Sequence, residues 1–125
     1  MGKIEKRELL DDVNSRFRYG LAIQRERFKA SKDGTGHNNY DLMADSLENM
    51  KADLKSKIMK NGNPLVLKRI EKILMWYRTK ESRHVKNTPD GPMVVFPASI
   101  HLKVNKNLTI AYELLVEQMD TLNLL

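Results

Sequence analysis

Residues 63–83 read NPLVLKRIEKILMWYRTKESR. Asn63 is a strong helix N-cap, its side-chain oxygen able to accept an otherwise orphan backbone N–H. Pro64 follows at the first helical position, where a missing N–H costs nothing. Leu67, Ile70, Leu74 and Tyr77 then recur at spacings of three, four and three, one face of a helix. At about 100° per residue, Lys68, Lys72, Trp76, Thr79 and Arg83 fall on the opposite side. The only tryptophan of the chain therefore stands in a basic stripe.

Upstream, residues 40–60 carry a heptad-like seam of Tyr40, Met43, Leu47, Met50, Leu54 and Ile58. The seam ends at Asn61-Gly62-Asn63-Pro64. Gly62 suits a left-handed cap, and proline cannot continue the old helix. So short a turn predicts that helices 40–60 and 64–82 are antiparallel neighbours. Asn38 or Asn39 can cap the earlier helix, and Asp41 and Asp45 suit the positive end of its dipole.

Residues 4–30 predict a long amphipathic helix with Leu10, Val13, Phe17, Leu21 and Phe28 near one face. Gly20 within it marks either a weak point or a close approach by another backbone. Residues 31–38, SKDGTGHN, contain two glycines and no apolar side chain, and read as a loop. Residues 84–92 collect turn-formers, with Pro89-Asp90-Gly91 as a β-turn. The period then changes. Met93–Phe96 is apolar and β-branched, and Ile100, Leu102 and Val104 alternate with His101 and Lys103. This predicts a short hairpin or an extended arm over 93–104. Residues 107–122 are helical again, with Leu108, Ala111, Leu115, Met119 and Leu122 on one side and Ile110, Leu114 and Val116 widening it. The fold class expected is mainly α: about four helices in one bundle-like domain spanning 1–125, with the hairpin or arm before the last helix.

The chain has 125 residues, enough to bury roughly two-thirds of its unfolded surface. It contains no cysteine, so disulfides, thiolate metal sites and cysteine nucleophiles are excluded. No apolar run approaches the roughly 18 residues of a membrane span, and the N-terminal dozen residues are charged throughout. A soluble cytoplasmic protein with no membrane partner is the expectation.

The net charge of +6 is unevenly placed. Residues 1–32 hold nine basic against five acidic side chains, and residues 61–92 hold seven against three. The other two segments are each slightly acidic. A surface of this kind attracts polyanions.

Catalytic constellations are thin. His37, His84 and His101 are the only histidines, and none is spaced from another as a metal pair on one element. Asp33, His37 and Asp41 form a metal set only if an arbitrary loop geometry brings them together. Ser99 and His101 share a face only if residues 99–104 form a strand, and no acid or oxyanion site accompanies them. A phosphate-binding glycine loop and HExxH are absent from the sequence. No cofactor is expected, and the chain reads as a non-enzyme.

Binding signals are stronger. A nucleic-acid surface wants cations on phosphates and aromatic groups for stacking. Lys68, Arg69, Lys72, Lys80 and Arg83 around Trp76 supply both, making DNA or RNA the first candidate partner. The competing reading places Trp76 in the core, with lysines snorkelling outward. A protein-binding adaptor or inhibitor is the alternative function, forming a homo-oligomer through Leu115, Met119 and Leu122 of the apolar last helix.

Overall fold

The computed structural model describes the backbone of residues 2–33 and 39–125, and the side chains of residues 15–32 and 39–125. The elements are α1 (Gly2–Asp33), α2 (Tyr40–Asn61), α3 (Pro64–Arg83), β1 (Val85–Thr88), β2 (Gly91–Val94) and α4 (Ala98–Thr121). The chain is mainly α, with four helices and a two-stranded antiparallel hairpin before the last of them.

The apolar periods become the core directly. All six seam residues of α2, from Tyr40 to Ile58, are buried, as are Leu67, Ile70, Leu74 and Tyr77 of α3. Leu21 and Phe28 of α1 and Val104, Leu108, Ala111, Leu115 and Met119 of α4 join the same cluster, with Phe17 at its margin. Leu10 and Val13 lie outside the described side chains. Helix α2 packs on α1, α3 and α4, and α3 packs on α4. Phe28 stacks on Tyr112 at 4.3 Å, and Lys32 Nζ donates to the Thr109 hydroxyl at 3.0 Å, so α1 also lies against α4.

The α2–α3 turn is built from its local sequence. The Asn63 side chain accepts the Leu65 N–H at 3.0 Å, and Pro64 opens α3. Gly62 is needed for a different reason from the one expected. Its φ of −105° is not left-handed. Instead, a Cβ there would lie 2.6 Å from Gln118 Oε1 and 2.9 Å from the Ile58 Cα. Gln118 occupies that space because its Oε1 accepts the Asn63 N–H at 2.8 Å. This bond ties the start of α3 to the end of α4, so the two helices run antiparallel. Gly20, by contrast, is no point of close approach, since a Cβ there would meet nothing within 4 Å. Asn39 occupies the α2 N-cap position without a side-chain capping bond.

The extended segment falls earlier than residues 93–104. Val85 pairs with Val94 and Thr88 with Gly91, around a Pro89-Asp90 turn with Gly91 at φ 110°. Val95 N–H donates to the His84 carbonyl at 2.9 Å. By antiparallel alternation, Pro92 opposite Asn87 then takes a non-hydrogen-bonded position, where its missing N–H leaves the ladder intact. Residues 98–104 are helical, with Pro97 at the cap. Ile100 and Val104 also satisfy a spacing of four that continues to Leu108, and this longer period decides the conformation. Leu102, which completed the apparent alternation, is 75% exposed. Of the loop expected over 31–38, Ser31 to Asp33 belong to α1 and residues 34–38 lie outside the described part.

Candidate nucleic-acid interface

Helix α3 divides its charges by angle. Its buried face points to α2 and α4. The outward face carries Lys68, Arg69, Lys72, Thr79 and Arg83, all exposed, while Lys80 and Trp76 are half-buried. From Lys68 to Arg83 the row runs about 22 Å along the helix at 1.5 Å per residue. Among the described residues, none of these five cations is in an ion pair or side-chain hydrogen bond. Leu65 and Met75 add exposed apolar surface to the same face, at 73% and 70% exposure. Trp76 packs against the margin of the core with Ile73. The structure thus brings the six sequence-predicted site residues onto one side of one helix, with the indole turned partly inward.

Arg78, on the flank of α3 that meets α2, has the opposite surroundings. Its Nη1 donates to Asp41 at 2.9 Å and its Nη2 to Asp45 at 2.7 Å. Glu81 lies 3.2 Å from Nη1 and Glu48 3.9 Å from Nε. Burial alone would lower the guanidinium pKa. The bonds to Asp45 and Asp41, with the charge of Glu81, outweigh it and push the pKa up. The guanidinium also sits 5.5 Å from the centre of the Tyr77 ring.

The basic surface continues beyond α3. Lys86 on β1 and Lys103 and Lys106 on α4 are exposed, and no Asp or Glu occurs between Asp90 and Glu113. Sequence periodicity hides the two α4 lysines, because it suggests an extended segment where α4 begins. The acid-free run is the signal in the sequence that points to them.

A cleft of about 370 Å³ lies between the start of α2, the end of α3 and β2, lined by Tyr40, Asp41, Tyr77, Glu81, Val94 and Phe96 among others. Tyr40, Asp41, Tyr77 and Glu81 in its lining are already engaged, Asp41 and Glu81 with Arg78, and His84 beside it is bonded too. The Tyr40 hydroxyl and His101 Nδ1 share a hydrogen bond. Tyr77 has its pKa pushed up by burial, then by its hydrogen bond to Glu81 and the Glu81 charge. His84 Nδ1 is bonded to the Lys80 carbonyl at 2.8 Å. No group of three or more metal-ligating side chains occurs among the described residues, and His37 lies outside them. Ser99 and His101 both belong to α4, so the shared strand face they required does not form.

Leu115 and Met119 are buried inside the single chain, and Leu122 is half-buried against the same core. Leu115 and Met119 therefore present no surface for a partner. A shallow apolar depression elsewhere, on the outer side of α1, is lined by Tyr19, Ala22, Ile23 and Ala30 with Glu26 and Arg27.

No helix among the described residues is long and apolar enough to cross a membrane. No family model matches the chain, and neither characterised proteins nor solved structures show a significant similarity to it.

Proposed function

We propose that the protein is a non-catalytic binding protein whose outward α3 face takes nucleic acid. The supporting observation is the sorting of charge on one helix. Four carboxylates gather on Arg78, and Lys68, Arg69, Lys72, Lys80 and Arg83 stand together without an ion-pair partner among the described residues. Unpaired cations in a row keep their full attraction for a polyanion, and releasing its counterions drives association. The test is fluorescence anisotropy with labelled mixed-sequence oligonucleotides between 50 and 200 mM salt (about the range over which the effect is large). Lys68→Ala with Lys72→Ala is expected to reduce the salt slope by about 0.7 to 0.9 for each phosphate no longer neutralised, while leaving the circular dichroism melt unchanged. Absence of binding at the lowest salt, or an unchanged slope in the double variant, would refute the proposal.

A second reading, a protein-binding adaptor, has the α1 depression in its favour, since Tyr19 there is 70% exposed. Sedimentation at micromolar concentration tests it with this chain as its own partner. A dimer that Ile23→Glu dissociates supports self-association through α1, and a monomer removes it.

A further inference from the structure

Resting on the nucleic-acid reading, we infer that the partner is a duplex, gripped through its phosphates by two antiparallel rows of cations on α3 and α4, with no base stacked on Trp76. All eight aromatic side chains of the protein lie in the described part, and the only one in the exposed class is Tyr19, on α1. Single-strand binders depend on exposed rings as stacking platforms. Here the basic face offers no ring in the exposed class. Trp76 is half-buried and packed on the core margin.

The second row follows from the placement of α4. The Gln118–Asn63 bond makes α4 antiparallel to α3, so the first half of α4 runs beside the second half of α3. Gln118 marks the α3 side of α4, and Thr109, bonded to Lys32, marks its α1 side. At about 100° per residue, Lys103 falls about 60° from Gln118 and about 120° from Thr109. It therefore sits on the flank turned toward α3, and Lys106 falls close to the outward crest of α4. On α3 the corresponding flank and crest carry Lys80, Arg69 and Lys72. Neighbouring helix axes lie about 8–10 Å apart. The cations thus form a band rather than a line; Lys86 extends it at the hairpin end, and the exposed Glu113 and Glu117 on the α4 crest bound it at the other. A duplex presents one charge per about 1.7 Å of its axis, against about 3.4 Å for each strand counted alone. A band of fixed cations without stacking groups gains most from the denser and wider array.

The experiment compares a 24-base-pair mixed-sequence DNA duplex (about two helical turns) with one of its component strands, reading anisotropy and Trp76 emission together. Expected are a duplex bound about tenfold or more tightly than the strand, and an emission maximum unmoved by either. Lys103→Ala with Lys106→Ala is expected to lower the duplex salt slope by about 0.9 for each phosphate no longer neutralised. Melting curves establish that the variant is folded. A strand bound as tightly as the duplex, with quenched Trp76 emission, overturns the inference and leaves the nucleic-acid reading standing. Duplex binding indifferent to both α4 lysines also overturns it. Binding to neither oligonucleotide overturns the inference and the parent reading alike.

Discussion

Replacing Arg78 by methionine removes the guanidinium and keeps much of the aliphatic stem. Two short charged bonds to Asp41 and Asp45 disappear, with weaker pairing to Glu81 and Glu48. Arg78 is one-third exposed, so solvent screening holds each pair to the surface range of about 0.2–1 kcal/mol. Four pairs of unequal quality then contribute about 1–2 kcal/mol. The carboxylates left behind add repulsion. Asp41 with Asp45, and Asp45 with Glu48, are like charges at helical spacing, each pair costing about 0.2–0.5 kcal/mol. The expected loss is about 1.5–3 kcal/mol, a large fraction of an ordinary domain's stability. Urea denaturation followed by circular dichroism measures it, with Arg69→Met as a control from the outward face, expected within about 0.5 kcal/mol of the parent protein. Salt supplies a second signature. At 1 M the screening length falls to about 3 Å, so the gap between Arg78→Met and the parent should narrow. A loss no greater than that of the Arg69 control, or a gap that widens in salt, would refute the assignment of Arg78 as the neutralising centre of the α2–α3 seam.

Tyr77 binds its proton more tightly when folded than the ordinary phenol near pH 10, so its contribution is complete below about pH 10 and declines as pH rises beyond it. Tyr77→Phe should flatten the loss of stability measured between about pH 9 and 12. Gly62→Ala is expected to destabilise by about 1–3 kcal/mol, and Gln118→Ala in the same background should not restore it, because the Ile58 backbone still blocks the added methyl. Leu115→Ala should cost about 2–5 kcal/mol by leaving a core cavity, and the loss should not vary with protein concentration. A concentration-dependent loss would return Leu115 to a subunit interface.

The helices are legible in the sequence because their apolar periods are long. Six consecutive seam positions of α2 and four of α3 leave a single consistent face, and the Asn-Gly-Asn-Pro turn separates them chemically. The hairpin and the start of α4 are not, because short windows support two periods. Ile100, Leu102 and Val104 alternate as a strand would, and only the continuation through Leu108 and Ala111 shows that a longer period governs. Conversely, Val85-Lys86-Asn87-Thr88 has no apolar alternation to announce it. It becomes a strand because Pro89-Asp90-Gly91 folds the chain back and His84 bonds to Val95. The basic face is legible on α3, where all the residues lie within one helix. Its extension to α4 is signalled only by the acid-free run before Glu113, because its place beside α3 depends on a packing direction that shows in the bond from Asn63 N–H to the buried Gln118.

Lys72 and Arg78 illustrate what a charge count cannot carry. They stand six residues apart on one helix, about 120° from each other around its axis. Lys72 faces outward with no ion-pair partner among the described residues, and Arg78 faces four carboxylates. Summed locally, the seam of Arg78, Asp41, Asp45, Glu48 and Glu81 is three negative charges in excess, and the outward face of α3 is positive. Among the described residues, the modest net charge conceals an acidic α2–α3 seam and a basic outward face on the same helix. On the proposed reading, a polyanion approaching the α2–α3 seam would be repelled and one approaching the α3–α4 cations drawn in. If the α3 face takes nucleic acid as proposed, the acidic seam would act on that binding without touching the partner, by restricting the orientations from which an encounter succeeds. That effect belongs to the association rate and fades with salt. Neutralising Asp41 and Asp45 should raise non-specific uptake through other faces and leave the contacts on α3 and α4 unchanged.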